Sequence, residues 1–469
     1  MARVVTDAGE HLRDRLGSEG KVLLINPPVQ EKRYHWLRWN QPLELLRLST
    51  WLKTRTGSRE VMLYDFMFPD ERGDVPRHKV KETWTGVGSD ALWHFGQPFE
   101  EFEEFFDGLM KRAWIPDLII ISSLTSYWHL SIEKLLVKIC NLLGPERRVR
   151  ATIALYGAYP SIEPEHAGNQ RNADIAFTTP IDGSGCVPDF RLYFEQVKRA
   201  PLFFSLDIDD PDVADYIRFC LKLQDGWNRR RGIAKSMPIT VAFFNDDICG
   251  PKSQLEELTR QAGDYKGRVR IDAICGLQPR SISVDRLEML AAIGTKSLFI
   301  EYATKPDGEL DERAYEPFRE FLARDRDRRR AGGEAELQAR DAVTAFVNIG
   351  LPGDNLEAIV RSTLRLNQLF QAIILKPFGY SPNLDPASAV ERSARWTTPA
   401  KSSPQWFPYV GCGSSLDLAD YDNLMRWQGI MNKRVKNFTF DFLGDGAVPQ
   451  LVRETLIEES WKRHREGQA

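Results

Sequence analysis

The spacing of the cysteines limits the metal chemistry that this chain can carry out. There are six of them, at Cys140, Cys186, Cys220, Cys249, Cys275 and Cys412. The closest pair, Cys249 and Cys275, lies 26 residues apart. An iron–sulfur cluster needs several thiolates that converge on one site, and proteins usually supply them from one short loop. The sequence therefore predicts no iron–sulfur cluster, and cysteines scattered in this way are typical of small buried side chains in a reducing compartment.

Four segments rich in small polar residues indicate a different chemistry, the binding of a ligand through hydrogen bonds. They are residues 26–39, 122–129 (SSLTSYWH), 156–166 (YGAYPSIEPEH) and 178–185 (TTPIDGSG). Hydroxyl groups and glycines let the backbone approach a ligand closely, while Trp and Tyr can cover a flat ring. Taken singly, each segment is also typical of a turn that caps a helix.

The elements before these segments would position them together. Short apolar runs at residues 22–25, 61–64, 118–122 and 151–155 predict strands, and helical spacing of apolar residues predicts helices over 43–54 and 131–143. Strands that alternate with helices at this length predict a doubly wound parallel α/β sheet. Ligands of such sheets bind beyond the carboxyl ends of the strands, which is where the polar segments begin.

The landmarks KVLLINPP, QPLELLRLSTWL, LYDF, SSLTSYWH, LYGAYPSIEPEHA and ADIAF follow one another over residues 21–177. Their order and spacing resemble the cobalamin-binding domain that precedes the barrel in cobalamin-dependent radical S-adenosylmethionine enzymes. The resemblance implies a Rossmann-like cobalamin-binding domain over residues 1–190, with the corrin over the carboxyl edge of the sheet. The residues that it places at the corrin, at its nucleotide tail or in the first loop are Pro27, Pro28, Ser122, Ser123, Thr125, Ser126, Gly157, Ala158 and Tyr159.

Two features depart from the pattern of this family and its relatives. Many members continue into a Gly-Glu-Gly-Glu turn where this chain has residues 178–183 (TTPIDG), so Thr178 is the candidate contact of the fourth loop. The Asp-x-His-x-x-Gly motif that supplies a histidine to cobalt in other cobalamin proteins is also absent. His129, His35 and Trp128 remain as candidates near the lower face of cobalt, and a lone loop histidine is also typical of a surface or capping residue.

The second half of the chain resembles the barrel of the same family. Its landmarks are ITVAFFNDD, RIDAICGLQPRSISVDRLEMLAAIGTKSLFIEYAT, AFVNIGLPGDNLEAIVRSTLRLNQL and ILKPFGYSPNLDP. The resemblance implies a partial (β/α) TIM-like barrel over residues 191–385, followed by a small, mainly helical C-terminal region over 386–469. The Cys-x-x-x-Cys-x-x-Cys loop expected after PLFFSLDID is replaced by an acidic stretch and a predicted helix that carries Cys220 alone.

Residues at the carboxyl ends of barrel strands face a shared mouth, so several polar groups are expected to converge there. The candidates are Asn245, Asp246, Asp247, Glu301, Asn348 and Lys376. Asp247 and Glu301 are the candidate catalytic residues, because a carboxylate at the mouth can deprotonate an accepting group. Gly350 lies in a turn that could let the backbone approach an adenine, as in relatives. The alternatives are a helix cap for Asp246 and Asp247 and a solvated strand end for Lys376.

Charge and hydropathy exclude several classes of partner. The 63 basic and 66 acidic residues leave a net charge of -3, so no nucleic acid or anionic membrane is expected as a partner. Acidic residues are interspersed in the basic run Arg324–Arg330, which favours a solvated helix. The N-terminal residues lack the apolar core of a secretory signal, and no apolar run approaches the ~18 residues of a spanning helix. We therefore expect a cytoplasmic protein.

Three hypotheses about function follow. The first is a cobalamin-dependent enzyme of methyltransferase type, related to radical S-adenosylmethionine proteins but without their cluster, acting on a small molecule. S-adenosylmethionine is the second cofactor considered for it. The second hypothesis is a non-catalytic cobalamin-binding partner or sensor, and the third is a scaffold that has lost both ligands. A protein partner that supplies reductant, or an intact radical S-adenosylmethionine subunit, is compatible with the first two.

Overall fold

The chain forms two compact units, Met1–Pro201 and Leu202–Gly379, and residues 414–437 belong to the second. The structure is a computed structural model. It describes residues 1–16, 20–31, 41–58, 60–69, 75–80, 93–123, 129–183, 185–194, 203–233, 238–243, 247–261, 264, 267–278, 281–293, 295–303, 316–332, 343–351, 353–370, 372–377 and 414–437. The domain limits drawn from the sequence at residues 190 and 385 stay predictions.

A six-stranded sheet forms the centre of the first unit. The elements of this unit are β1 (Arg3–Val5), α1 (Ala8–Arg15), β2 (Lys21–Asn26), β3 (Val29–Glu31), α2 (Leu43–Arg55), β4 (Glu60–Asp65), β5 (Arg77–Lys79), β6 (Trp93–Phe95), α3 (Phe99–Lys111), β7 (Leu118–Ser123), α4 (His129–Arg148), β8 (Thr152–Gly157), α5 (Ala158–Ile162), α6 (Pro164–Gly168), β9 (Ile175–Phe177) and α7 (Arg191–Phe194). The strand order is β1-β9-β8-β7-β2-β4, and every neighbouring pair is parallel. The predicted parallel α/β arrangement is therefore confirmed in this unit.

Both faces of this sheet are buried, which explains the continuous apolar runs of its strands. In β2, Leu23 and Ile25 join the core cluster that contains side chains of α3 and α4. The intervening residues Val22 and Leu24 are also fully buried. Because successive side chains of a strand point to opposite faces, both faces of β2 are covered. The predicted end of the helix at Leu143 matches Gly144, whose φ of 68° breaks the helical path of α4.

A small antiparallel sheet of order β3-β6-β5 completes the first unit. Val29 pairs with Phe95, and Arg77 pairs with the same residue from the other side. The apolar side chains of this sheet form a core of their own around Val29, Met67, Val75 and Phe95. No strand was expected here, because each of the three is only three residues long and β5 reads Arg-His-Lys.

The second unit contains a second parallel sheet, in which the strands follow in chain order. Its elements are β10 (Phe203–Leu206), α8 (Val213–Arg231), β11 (Ile239–Phe243), α9 (Lys252–Arg260), β12 (Val269–Leu277), α10 (Val284–Ala292), β13 (Thr295–Ala303), α11 (Glu316–Gly332), β14 (Val343–Ile349), α12 (Leu356–Leu369), β15 (Ala372–Pro377) and α13 (Leu418–Asn437). The strand order is β10-β11-β12-β13-β14-β15, and all pairs are parallel. The predicted helix that carries Cys220 is α8, and Cys220 is fully buried in it.

Helix α13 covers the outer side of β15 and hydrogen-bonds its backbone. The Asn432 side chain accepts from the Ile373 amide at 2.9 Å and donates to the Ile373 carbonyl at 2.8 Å. Gln428 accepts from the Leu375 amide at 2.5 Å. Trp427, which is buried, donates from Nε1 to the Thr363 hydroxyl of α12 at 3.2 Å. Amide side chains thus replace the neighbouring strand that an edge strand would otherwise need.

Candidate functional site

The carboxyl edge of the first sheet contains the point where the chain reverses direction across the sheet. From β2 the chain passes to β4 on one side, and then to β7, β8 and β9 on the other. The reversal lies between β2 and β7, whose final residues are Asn26 and Ser123. In open parallel sheets this position forms a crevice that binds ligands.

Glu44, in the first turn of α2, brings a carboxyl group to this edge. The Ser122 hydroxyl hydrogen-bonds that group. The Oε2 atom of Glu44 is buried and has no hydrogen-bond partner among the described residues. Burial raises the pKa of Glu44, while the Ser122 hydrogen bond and the positive charge of Arg47 act in the opposite direction. A buried acceptor without a partner is costly, so this carboxyl group is suited to a ligand that donates a hydrogen bond.

Gly157 at the end of β8 leaves room for this arrangement. A Cβ on Gly157 would lie 2.8 Å from the Ser122 Oγ, 2.8 Å from the Ser123 carbonyl oxygen and 2.9 Å from the Glu44 Oε2. Its φ of 88° is also one that side chains disfavour. The structure therefore brings together three of the predicted cofactor residues, Ser122, Ser123 and Gly157, around a carboxyl group that the sequence analysis did not single out.

The other predicted residues of the first unit fall into two groups. The first group is described by the structure: Pro27 and Pro28 are buried directly after β2, and Ala158 begins α5. Thr178, also in this group, follows β9, and its amide donates to the Val5 carbonyl at 3.0 Å. His129 begins α4, but its side chain is not among those described, and Thr125, Ser126, Trp128 and His35 lie outside the described residues.

The side chain of Tyr159 packs in the core of the first unit, and its place beneath a ring-shaped ligand stays a prediction. Its side chain is fully buried in the core cluster, and its hydroxyl lies 2.6 Å from His166 Nδ1 and 2.9 Å from the Gln170 Nε2. Burial raises its pKa well above the usual value. Only the backbone of Tyr159, directly after the Gly157 turn, is therefore placed to approach a ligand at this edge.

A second buried polar cluster at the same edge was missed by the sequence analysis. Asp65, the last residue of β4, accepts from the Asn26 side chain at 2.7 Å and from the Tyr193 hydroxyl at 2.6 Å. All three residues are buried. Burial next to Asp65 raises the pKa of Tyr193, so its hydroxyl stays protonated and donates. The available signal was the polar residue that ends each apolar strand, Asn26 in β2 and Asp65 in β4.

In the second unit, Asp247 lies beyond β11, where a strand-end carboxylate was predicted. Its Oδ1 accepts from the Ser281 hydroxyl at 2.6 Å and from the Cys249 amide at 3.2 Å. These bonds link the segment after β11 to the one after β12. Asp247 does not cap α9, whose N-cap is Pro251. Burial and the charge of Asp247 raise the pKa of Cys249 to about 12, so this thiol stays protonated.

The turn after β14 has a close contact with α13. Gly350 has a φ of 85°, and a Cβ there would lie 2.0 Å from the Tyr421 hydroxyl oxygen. Asp354 fixes the turn by accepting from the Leu351 amide at 2.9 Å, and its own carbonyl accepts from the Ser415 amide at 2.9 Å. The close approach that Gly350 permits is therefore made by this chain's own Tyr421. An adenine at this turn stays a prediction.

The remaining candidates of the predicted mouth are only partly described. Asn348 is half-buried in β14, in register with Ala303 and Lys376. Glu301 lies in β13 and Lys376 in β15, but their side chains are not described. Asn245 and Asp246 lie outside the described residues.

The described part of the chain contains no group of three or more His, Cys, Asp or Glu side chains that could hold a metal ion. Cys140, Cys186, Cys220 and Cys249 are free thiols. The absence of an iron–sulfur cluster stays a prediction from the sequence. No helix in the described ranges combines the length and the apolar character needed to cross a bilayer.

The charge of Glu44 is expected to lower the stability of the folded protein above its pKa. Because burial raises the pKa of Glu44, its charged form destabilises the folded protein, and stability falls as the pH rises through that pKa. We expect Glu44→Gln to increase the free energy of unfolding at pH 8 by about 1–3 kcal/mol, because it removes a charge, and burying a charged group costs more than burying a neutral polar one. The gain should shrink as the pH falls toward 4.5, the ordinary value for this group.

Urea unfolding at pH 8 and pH 5 measures this difference. The matched control is Glu101→Gln, an exposed glutamate in the first turn of α3, which loses the same helix-dipole interaction without a change in burial. Equal effects of the two substitutions at both pH values would contradict the assignment of buried charge to Glu44.

Comparison with known proteins finds similarity among solved structures. No protein-family model matches the chain, and no curated protein matches it. Among solved structures, the chain is similar to the radical S-adenosylmethionine methyltransferase TsrM from Kitasatospora setae, solved with cobalamin and a 4Fe-4S cluster bound. The two are 12% identical, the match covers 89% of this chain and 99% of that chain, and the TM-score is 0.46.

Proposed function

We propose that this chain is a cobalamin-dependent enzyme of methyltransferase type that acts on a small molecule without an iron–sulfur cluster of its own. The observation that carries the proposal is the carboxyl group of Glu44, buried with one oxygen unpartnered, beside Ser122 and the side-chain-free Gly157. These groups lie at the crevice of a parallel sheet. The landmarks KVLLINPP, LYDF and SSLTSYWH, which resemble parts of cobalamin-binding domains, contain the carboxyl ends of β2, β4 and β7 at the same edge.

The residues present fit such a cofactor. Cobalamin carries amide groups around its corrin and hydroxyl groups in its nucleotide tail, and both donate hydrogen bonds. The unpartnered Glu44 Oε2 would accept from one of them, and the turn at Gly157 lets the backbone come close. When bound, methylcobalamin supplies an electrophilic methyl group. The role of the chain is to orient the cofactor and substrate and to exclude water.

Within this proposal the first unit is a Rossmann-like domain and the second is a partial TIM-like barrel. The strand order β1-β9-β8-β7-β2-β4 with a reversal next to β2 supports the first assignment. The second is supported by six parallel strands in chain order, joined through helices. Asp247 at a strand end is the proposed base, together with Glu301 in β13. Because Tyr421 lies at the close approach of Gly350, the proposal places no S-adenosylmethionine at this turn.

Reconstitution with hydroxocobalamin tests the binding part of the proposal. We expect cobalt to co-elute with the protein in size exclusion at close to one atom per chain, with a corrin absorption band. Ser122→Ala should weaken retention by about tenfold, because it removes the buried hydrogen bond that orients the Glu44 carboxyl group. Ser58→Ala is the matched control, since this buried hydroxyl bonds the Gly20 carbonyl before β2, at the opposite edge of the sheet. Protein that elutes without cobalt would overturn the proposal.

Loading with methylcobalamin tests the catalytic part. Addition of thiol, amine and heteroaromatic nucleophiles should convert the spectrum to that of the demethylated cofactor, and mass spectrometry should find the methylated product. Asp247→Asn should slow this conversion without a change in cobalt content. Bound cobalt with an unchanged spectrum for every nucleophile would instead support a non-catalytic cobalamin-binding partner.

A further inference from the structure

A cavity of about 940 Å³ lies in the first unit, between the small antiparallel sheet and helices α3 and α4. Its lining comes mainly from β3, β5 and β6 on one side and from α3 and α4 on the other. Its volume is at the upper end of the range that small-molecule sites occupy. Neither Glu44 nor Ser122 lines it, so it is distinct from the site described above.

Gln30 of β3 brings an unsatisfied acceptor to this cavity. His94 Nε2 lies 3.0 Å from the Gln97 carbonyl oxygen, so Nε2 carries the proton and donates. His94 Nδ1 therefore accepts from the Gln30 Nε2 at 3.4 Å. The Gln30 Oε1 is buried and has no hydrogen-bond partner in the part of the chain that the structure describes. Gln30 is 3% exposed and lines the cavity, so a ligand that carries a donor can satisfy this oxygen.

Two stacked histidine rings provide a flat surface next to this acceptor. His78 stacks on His94 with ring centroids 4.5 Å apart and an interplanar angle of 24°. Burial lowers the pKa of His94 to about 4, so this inner ring is neutral at physiological pH. The outer ring, His78, is exposed and lines the cavity. A flat ligand can therefore extend the stack.

The lysine and glutamate side chains of the lining balance one another. Lys79, Lys134 and Lys138 line the cavity together with Glu100 and Glu133. Lys138 already pairs with Glu103, which does not line the cavity, and its ammonium lies 5.4 Å from the Phe99 ring centroid. Two lysines and two glutamates then remain. Such a lining favours a ligand without a net charge, because a charged ligand would lose hydration without a matching electrostatic gain.

We propose that this cavity binds a neutral, flat heteroaromatic ring that carries an N–H donor, as a purine base does. The ring would stack on His78, and its N–H would donate to the Gln30 Oε1. A ring without a donor would leave this oxygen unsatisfied, and a donor without a ring would leave His78 uncovered. The volume of about 940 Å³ leaves room for a neutral substituent on the ring.

Isothermal titration of the full chain with adenine tests this proposal. We expect a dissociation constant below about 1 mM. Adenine with every N–H methylated keeps the ring but has no donor, so it should bind about tenfold more weakly. His78→Ala should weaken adenine binding by about tenfold through lost stacking. Arg77→Ala is the matched control and should leave binding unchanged, because Arg77 precedes His78 in β5, is exposed and does not line the cavity.

Gln30→Met tests the hydrogen bond, since it removes the amide and keeps a side chain of similar length. It should weaken the binding of adenine and leave that of the methylated ring unchanged, so that both ligands bind equally. Binding of the methylated ring also shows that the variant keeps the cavity. A preference for adenine that persists in Gln30→Met would overturn the assignment of the donor to Gln30.

Nuclear magnetic resonance of histidine-labelled protein shows where adenine binds. Adenine should shift the ring signals of His78 and leave those of His166 unchanged, because His166 does not line the cavity. Raising the salt from about 50 mM to about 500 mM should change the dissociation constant by less than about twofold, since screening acts on charged ligands. No binding of adenine at 5 mM (about five times the expected limit), unchanged binding by His78→Ala, shifts confined to other histidines, or a strong salt dependence would each contradict the proposal.

Discussion

Replacing Gly350 by alanine is expected to lower the free energy of unfolding of the second unit by about 3 kcal/mol, at the upper end of single-substitution effects. The added Cβ would lie 2.0 Å from the Tyr421 hydroxyl oxygen, closer than any real contact. The backbone φ of 85° adds the strain of a left-handed conformation for a residue with a side chain. Urea unfolding followed by circular dichroism measures the loss.

A double-mutant cycle separates the two causes. Tyr421→Phe removes the oxygen that the Cβ would meet, so Gly350→Ala should cost about 1–2 kcal/mol less in that background, leaving the backbone strain. Gly429→Ala is the control in α13, since a Cβ there meets nothing within 4 Å and alanine favours a helix. An equal cost of Gly350→Ala with and without Tyr421→Phe would show that Tyr421 does not lie over the turn.

Replacing Gly157 by alanine is expected to destabilise the first unit by about 2–4 kcal/mol and to abolish cobalamin retention. Three oxygens lie within 2.9 Å of the added Cβ, one from Glu44, one from Ser122 and one from Ser123. The Glu44 oxygen can move aside, because it ends a long flexible side chain. The Ser122 and Ser123 oxygens cannot, so the end of the strand itself must move. Unfolding and cobalt content measured on the same preparation report both effects.

Gly108→Ala provides the matched control for this variant. Gly108 lies inside α3, a Cβ there meets nothing within 4 Å, and alanine should stabilise the helix by about 0.5–1 kcal/mol. Both substitutions add one methyl group to the same unit, but Gly157→Ala is expected to lower the free energy of unfolding and Gly108→Ala to raise it. Unchanged stability of Gly157→Ala would show that Glu44 does not pack against the end of β8.

The parallel strands were predictable because burial on both faces leaves a simple sequence signal. Residues 22–25 and 118–121 are continuously apolar, and both runs are central strands of the first sheet. The helix predicted at 43–54 has apolar residues at helical spacing and is α2, Leu43–Arg55. In the second unit, Cys220 has no other cysteine near it in the sequence, which predicts a buried packing residue in α8. Cys220 is fully buried in the structure.

The parts that could not be predicted depend on contacts between distant residues or on very short elements. Glu44 lies among leucines in α2, and only the fold brings Ser122 and Gly157 next to it. Gly350 was identified as a place of close approach, but its neighbour Tyr421 is 71 residues further along the chain. The sheet around His94 has strands of only three residues, and β5 reads Arg-His-Lys, so local propensity gives no usable signal for it.

The amide side chains of α13 have a consequence for how copies of this protein meet one another. A bare outer strand is a template on which another chain can add its own backbone, and this is a common route to self-association and fibrils. Asn432 uses both polar groups of Ile373, and Gln428 uses the amide of Leu375. Both backbone groups of Ile373 and the amide of Leu375 are therefore already used, so these two side chains oppose intermolecular strand addition along this part of β15.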